Sequence, residues 1–109
     1  MNILFVCTAG QQRSPTGVQV VKEFFPWHEA KFAGVHPFAE IPLTREAVEW
    51  ADIIFTMEKI HKDMITEEFP YDLLDRKKIV VLGVPDIYYK GDPQLIEMLK
   101  KQLKEYLAG

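Results

Sequence analysis

Apolar residues along this chain follow two alternating patterns: short unbroken runs, and stretches where they return every three or four positions. Ile3 to Val6 is an unbroken run, as expected of a strand buried on both faces. Beyond a polar stretch, Val18, Val21, Phe24 and Phe25 recur at helical spacing. Ser14-Pro15 suits the start of that helix, a side-chain acceptor followed by a residue whose missing N–H costs nothing in a first turn. The helix is expected to stop near Pro26, with a second strand around Lys31 to Val35 and a loop from His36 to Leu43. Thr44 is placed to cap a short helix through Trp50. Ile53 to Thr56 reads as the next strand, and Glu58 to Thr66, with Ile60 and Met64 one turn apart, as a helix. Ile79 to Val84 is the run richest in β-branched residues and predicts a strand. Asp92-Pro93 then opens a last helix, with Leu95, Met98, Leu99, Leu103 and Tyr106 on one face and Lys100, Lys101 and Lys104 elsewhere.

Strands alternating with helices imply an α/β, three-layer architecture: a four-stranded parallel sheet wound outward from the first strand and flanked by helices. The length of 109 residues suits one compact domain, 1–109, and 48% hydrophobic residues is ordinary for one. MNILFVC is too short to span a membrane and lacks a basic region before it or a small-residue cleavage pattern after it, so a cytoplasmic protein with no membrane partner is expected. A net charge of −3, with scattered lysines, argues against nucleic-acid binding. His28, His36 and His61 have no ligand-like spacing, and a single cysteine without a His cluster is a poor zinc site, so no metal is expected.

That lone cysteine, Cys7, is where the candidate chemistry begins. It lies at the carboxyl end of the first strand, where parallel sheets bind ligands. The following loop leads into a helix N-terminus, whose unpaired N–H groups favour an anion. Arg13, separated from the cysteine by five residues, would grip an oxyanion through its fork, and both features favour the thiolate. A tetrahedral oxyanion would sit above the sulfur, held by the loop Thr8, Ala9, Gly10, Gln11, Gln12, Arg13 and Ser14. Gly10 is free to take a positive φ. Ser14 is read either as donating its hydroxyl to the thiolate or as a plain helix cap.

CTAGQQRSP resembles the signature loop of the low-molecular-weight protein tyrosine phosphatases, in which cysteine, five loop residues, arginine, serine and proline follow the first strand. The compact length is similar to the short tyrosine phosphatases predicted in prokaryotes. PDIYYKGD, residues 85 to 92, resembles the family's acid loop, and AGV at 33 to 35 falls near its second strand. The resemblance implies strand order 2-1-3-4 and metal-independent hydrolysis of phosphotyrosine or another aryl phosphate through a phosphocysteine. Cys7 would be the nucleophile, Asp86 the acid and then the base, and Arg13 with the loop N–H groups the stabiliser of the transferring phosphoryl group. Tyr88 and Tyr89 would line the slot for the substrate ring, unless either packs on the core. The substrate would be a phosphorylated protein or a small aryl phosphate, with no cofactor. Asp92, which also precedes a proline, reads better as a helix cap than as the acid.

Several positions depart from the family pattern. Ala9 and Gly10 stand where a glycine and an asparagine are usual, which implies a looser loop. Gln12 stands where many members carry a second cysteine, so oxidation of Cys7 would proceed to a sulfenic acid or an intermolecular bond. Gly17 and Val18 suggest altered packing, and the stretch His36 to Leu43, with Phe38, looks like a reduced recognition loop. Enzyme IIB phosphocarriers present a similar cysteine loop but typically lack this arginine and the distant acid. Arsenate reductases of this type need further cysteines. A noncatalytic phosphate-binding module stays open.

Overall fold

A computed structural model describes residues 1–9 and 11–108; Gly10 lies outside the described residues, so its expected positive φ is not addressed. Strand β1 (Asn2–Cys7) is the first element, followed by α1 (Arg13–Phe24), β2 (Glu29–Gly34), α2 (Arg45–Trp50) and β3 (Ile53–Thr56). Then come α3 (Lys59–Glu68), α4 (Tyr71–Leu74), β4 (Lys78–Val81) and α5 (Pro93–Leu107). The four strands form a parallel sheet, as the alternating pattern predicts, in the order β2-β1-β3-β4 that the resemblance implies.

The unbroken apolar run of β1 is explained by its central place. Ile3 and Phe5 point into one buried cluster with Ile53 and Phe55, while Leu4 and Val6 point into the other with Ile54. On the first face lie α1 and α5, through Val18, Val21, Leu95, Leu99, Leu103 and Leu107. Gly17 is the contact point there, because a Cβ on it would sit 2.7 Å from the Phe5 ring. The second face is covered by α2, α3 and α4, through Val48, Ile65, Leu73 and Leu74.

Local signals explain several boundaries. The Thr44 hydroxyl accepts the Ala47 N–H at 3.1 Å, and the Asp92 carboxylate accepts the Gln94 N–H at 2.9 Å ahead of Pro93. β2 and α3 run over Glu29–Gly34 and Lys59–Glu68, a residue or two away from the expected Lys31 to Val35 and Glu58 to Thr66. Two further boundaries differ in ways that bear on the site. β4 ends at Val81 rather than Val84, because Gly83 turns to φ +70° and breaks the pleat, although the Leu82 and Val84 N–H groups still bond to Thr56 and Met57 carbonyls. Helix α1 opens at Arg13 with Gln12 in the cap position, so Ser14 lies inside the first turn and is not its cap.

Candidate functional site

The candidate site begins where β1 ends and the chain enters the loop that leads to α1. Cys7 stands opposite Gly34 in the register and is 3% exposed. Its carbonyl accepts the Val35 N–H and that of Thr8 accepts the His36 N–H, both at 2.9 Å, so the loop leaves the sheet along the end of β2. This approach requires Gly34 to lack a side chain. A Cβ there would lie 2.7 Å from the Ala9 carbonyl carbon and 2.8 Å from the Thr8 oxygen.

The loop and the segment after β4 enclose a cavity of about 250 Å³ lined by Cys7, Thr8, Ala9, Gln11, Gln12, Arg13 and Asp86. That is below the range of about 300–1,000 Å³ usual for drug-sized ligands, and it suits a small anion with part of its leaving group. Arg13 is 2% exposed, yet its charge is compensated. Its Nη1 pairs with the Glu58 carboxylate and donates to the Val84 carbonyl at 2.8 Å, while its Nε lies 3.7 Å from Asp86 Oδ1. Held by one edge, the guanidinium turns its Nε side toward Asp86 across the cavity. The Asp86 side chain is 66% exposed at the mouth.

Behind the loop is a residue that the sequence reading assigns only an ordinary role. His61 is 1% exposed, and its Nδ1 accepts the Glu58 N–H at 3.0 Å. The ring proton therefore sits on Nε2 and is directed to the Thr8 hydroxyl, 3.0 Å away. Burial pushes the imidazole below its ordinary value of 6.5; Arg13 adds to this, and Glu58 and Asp86 oppose it. The neutral ring props the loop from behind. The local clue in the sequence is Glu58 followed three residues later by His61 at a helix start.

The remaining predicted residues divide. Gln11 and Gln12 line the cavity, and Gln12 also accepts the Lys90 N–H through its side-chain oxygen. Ser14 lies fully buried behind the wall, and its hydroxyl has no hydrogen-bond partner among the described residues. Tyr88 is half-buried against the core and Tyr89 is exposed; neither lines the cavity. Phe38 is exposed in the loop after β2. No cluster of His, Cys, Asp or Glu that would hold a metal occurs among the described residues, and none of their helices is long and apolar enough to cross a membrane.

No protein-family model matches the chain. Among characterised proteins it is similar to the low-molecular-weight protein-tyrosine-phosphatase PtpB of Staphylococcus aureus, at 33% identity over 63% of this chain and 65% of that protein. The chain thus spans slightly under two thirds of that relative's length. Among solved structures, the YwlE arginine phosphatase from Geobacillus stearothermophilus is 27% identical, with TM-score 0.66 over 95% of this chain and 93% of its own. A YwlE mutant from Bacillus subtilis is 25% identical, with TM-score 0.74 over 96% and 97%. The Escherichia coli K30 tyrosine phosphatase Wzb, in complex with phosphate, shares the fold at 19% identity and TM-score 0.77 over 98% and 96%.

Proposed function

We propose that this chain is a member of the low-molecular-weight protein tyrosine phosphatase family, as its similarity to PtpB and to the YwlE structures supports, and that it is a metal-independent phosphatase acting on phosphotyrosine or another aryl phosphate monoester. The observation that carries the reading is that one small cavity is lined by Cys7, the amide-bearing loop after it, Arg13 and Asp86, drawn from opposite ends of the sequence.

The reaction has two steps. The Cys7 thiolate attacks phosphorus as the bond to the phenolate oxygen breaks, and protonated Asp86 gives that oxygen its proton. The leaving phenol departs and a phosphocysteine remains. Water then attacks phosphorus, the Asp86 carboxylate takes its proton, and the S–P bond breaks to release inorganic phosphate and the thiolate. Arg13 and the loop N–H groups stabilise the spread charge on the equatorial oxygens in both steps, the main demand of a loose phosphoryl transfer. The YwlE structure with a phosphorylated active-site serine in place of cysteine, 26% identical to this chain, supports transfer to the protein itself.

A second reading has a specific observation behind it. The cavity walls include Gln11, Gln12 and Asp86, polar groups able to meet a guanidinium, and the YwlE neighbours at 26–27% identity are arginine phosphatases. Protein phosphoarginine would then be the substrate, and Asp86 would protonate nitrogen instead of oxygen.

The test is turnover of 4-nitrophenyl phosphate in excess EDTA, followed by competition between phosphotyrosine and phosphoarginine peptides. The aryl reading expects EDTA-insensitive turnover that is abolished in Cys7→Ser, and a higher kcat/KM for the phosphotyrosine peptide. Accumulation of a stable phosphocysteine without turnover would mark a phosphocarrier, and phosphate binding with neither would mark a binding module.

A further inference from the structure

The candidate acid, Asp86, sits on a segment without regular structure, and its side chain alone does not fix it. Residues 82–92 connect β4 to α5, with Gly83 at φ +70° and Gly91 at φ +79° near either end. Upstream of Asp86 the segment is tied to the sheet, because the Leu82 and Val84 N–H groups donate to the Thr56 and Met57 carbonyls at 2.8 and 2.7 Å. The Val84 carbonyl also accepts from Arg13. Downstream, the hydrogen bonds to the body of the protein come from two residues of the anion loop and first helical turn. The Lys90 N–H donates to the Gln12 side-chain oxygen, and the Gly91 N–H donates to the Thr16 hydroxyl at 3.0 Å. Thr16 in turn donates to the Gln12 carbonyl at 2.7 Å. Gln12 therefore holds both halves of a clasp, one directly and one through Thr16.

The clasp has a geometric consequence. Gln12 lines the cavity in which phosphate would bind, and it grips the backbone four residues beyond Asp86. The distance from acid to phosphate is thereby referenced to the loop that binds the phosphate. Thr16 is fully buried, whereas the Gln12 side chain lies at the surface, so its bond to Lys90 does not follow from core packing.

We infer that Gln12, with Thr16, is a positioning residue for the acid step, holding the 82–92 segment so that Asp86 meets the leaving-group oxygen. This rests on the phosphatase reading above. A displacement of about 1 Å in a catalytic group costs up to about 100-fold. A partial loosening of the clasp is expected to lower kcat/KM about 10-fold where protonation of the leaving group matters, and less than about 2-fold where it does not.

The test compares wild type, Gln12→Met, Thr16→Val and Asp86→Asn on aryl phosphates with leaving groups from 4-nitrophenol to phenol. Gln12→Met keeps the side-chain length and removes the acceptor. The expected result is a steeper dependence on leaving-group pKa in Gln12→Met and Thr16→Val, and no further steepening when Gln12→Met is added to Asp86→Asn. Amide hydrogen exchange supplies a readout independent of turnover, with protection lost at Lys90 in Gln12→Met and at Gly91 in Thr16→Val. Equal losses on all leaving groups, or unchanged exchange at Lys90, would overturn the positioning role and leave the phosphatase reading intact. A wild type inactive on aryl phosphates would remove the aryl phosphatase reading and this inference with it. An Asp86→Asn series no steeper than an active wild type would remove the acid role of Asp86 and this inference while leaving hydrolysis standing.

Discussion

Replacing Arg13 with lysine keeps the charge and removes the fork, and the surroundings of Arg13 allow the cost to be worked out. Nη1 is committed to Glu58 and the Val84 carbonyl, so the Nε edge, turned toward Asp86, is what remains for a phosphoryl group. A lysine ammonium has three donors on one atom and cannot reach the Glu58 and Val84 anchor while also offering two parallel bonds to the substrate. Two charge-assisted hydrogen bonds of about 1.5–3 kcal/mol each are then lost in the transition state. Their sum, about 3–6 kcal/mol, corresponds to a fall of about 10²- to 10⁴-fold in kcat/KM. Weakening the tie to Val84 and the pairing with Glu58 should also lower stability by about 1–3 kcal/mol. The assay is steady-state hydrolysis of 4-nitrophenyl phosphate beside urea unfolding of the same protein. A folded Arg13→Lys variant within about 3-fold of wild type in kcat/KM would refute the reasoning, since charge alone would then suffice.

Gly34→Ala should cost about 1–3 kcal/mol and weaken inhibition by phosphate, because the new methyl meets the backbone of Thr8 and Ala9; paired urea melts and inhibition constants check both effects. Asp86→Asn should lose activity most on poor leaving groups, while Asp92→Ser, which keeps an N-cap acceptor for Gln94, should retain it. Urea unfolding from pH 8 to pH 5 reads the His61 contribution. The unfolded imidazole takes its proton near 6.5, and the folded one does so only at lower pH. The stabilisation is therefore complete above that value and is lost as pH falls through the window below it, and a His61→Asn variant should show a shallower decline.

How much of this was legible in the sequence depends on the range of the interaction involved. The faces of β1 and β3, the Thr44 and Asp92 caps and the leucine face of α5 follow from neighbours within a few positions, and local patterns encode them. Helix α4 is a single turn, too short to show a period. The β-branched run after Lys78 gave no local reason to end the strand at Val81, because the break comes from the φ that Gly83 adopts. The candidate site divides in the same way. Cys7, the loop and Arg13 are contiguous and carry the family resemblance, whereas the links Arg13–Glu58, Thr8–His61 and Gln12–Lys90 join residues 45, 53 and 78 positions apart. Tertiary packing creates these links, so no local spacing announces them. The buried Ser14 hydroxyl likewise follows from the helix opening one residue before its apparent cap.

The account depends most on covalent capture of the phosphoryl group by Cys7, and rapid-quench mass spectrometry during a single turnover of an aryl phosphate reads that event directly. A phosphoryl adduct should appear on the peptide containing Cys7 as phenol is released, and should decay as inorganic phosphate forms. Phenol release with no adduct at any quench time, or undiminished turnover by Cys7→Ala, would contradict it.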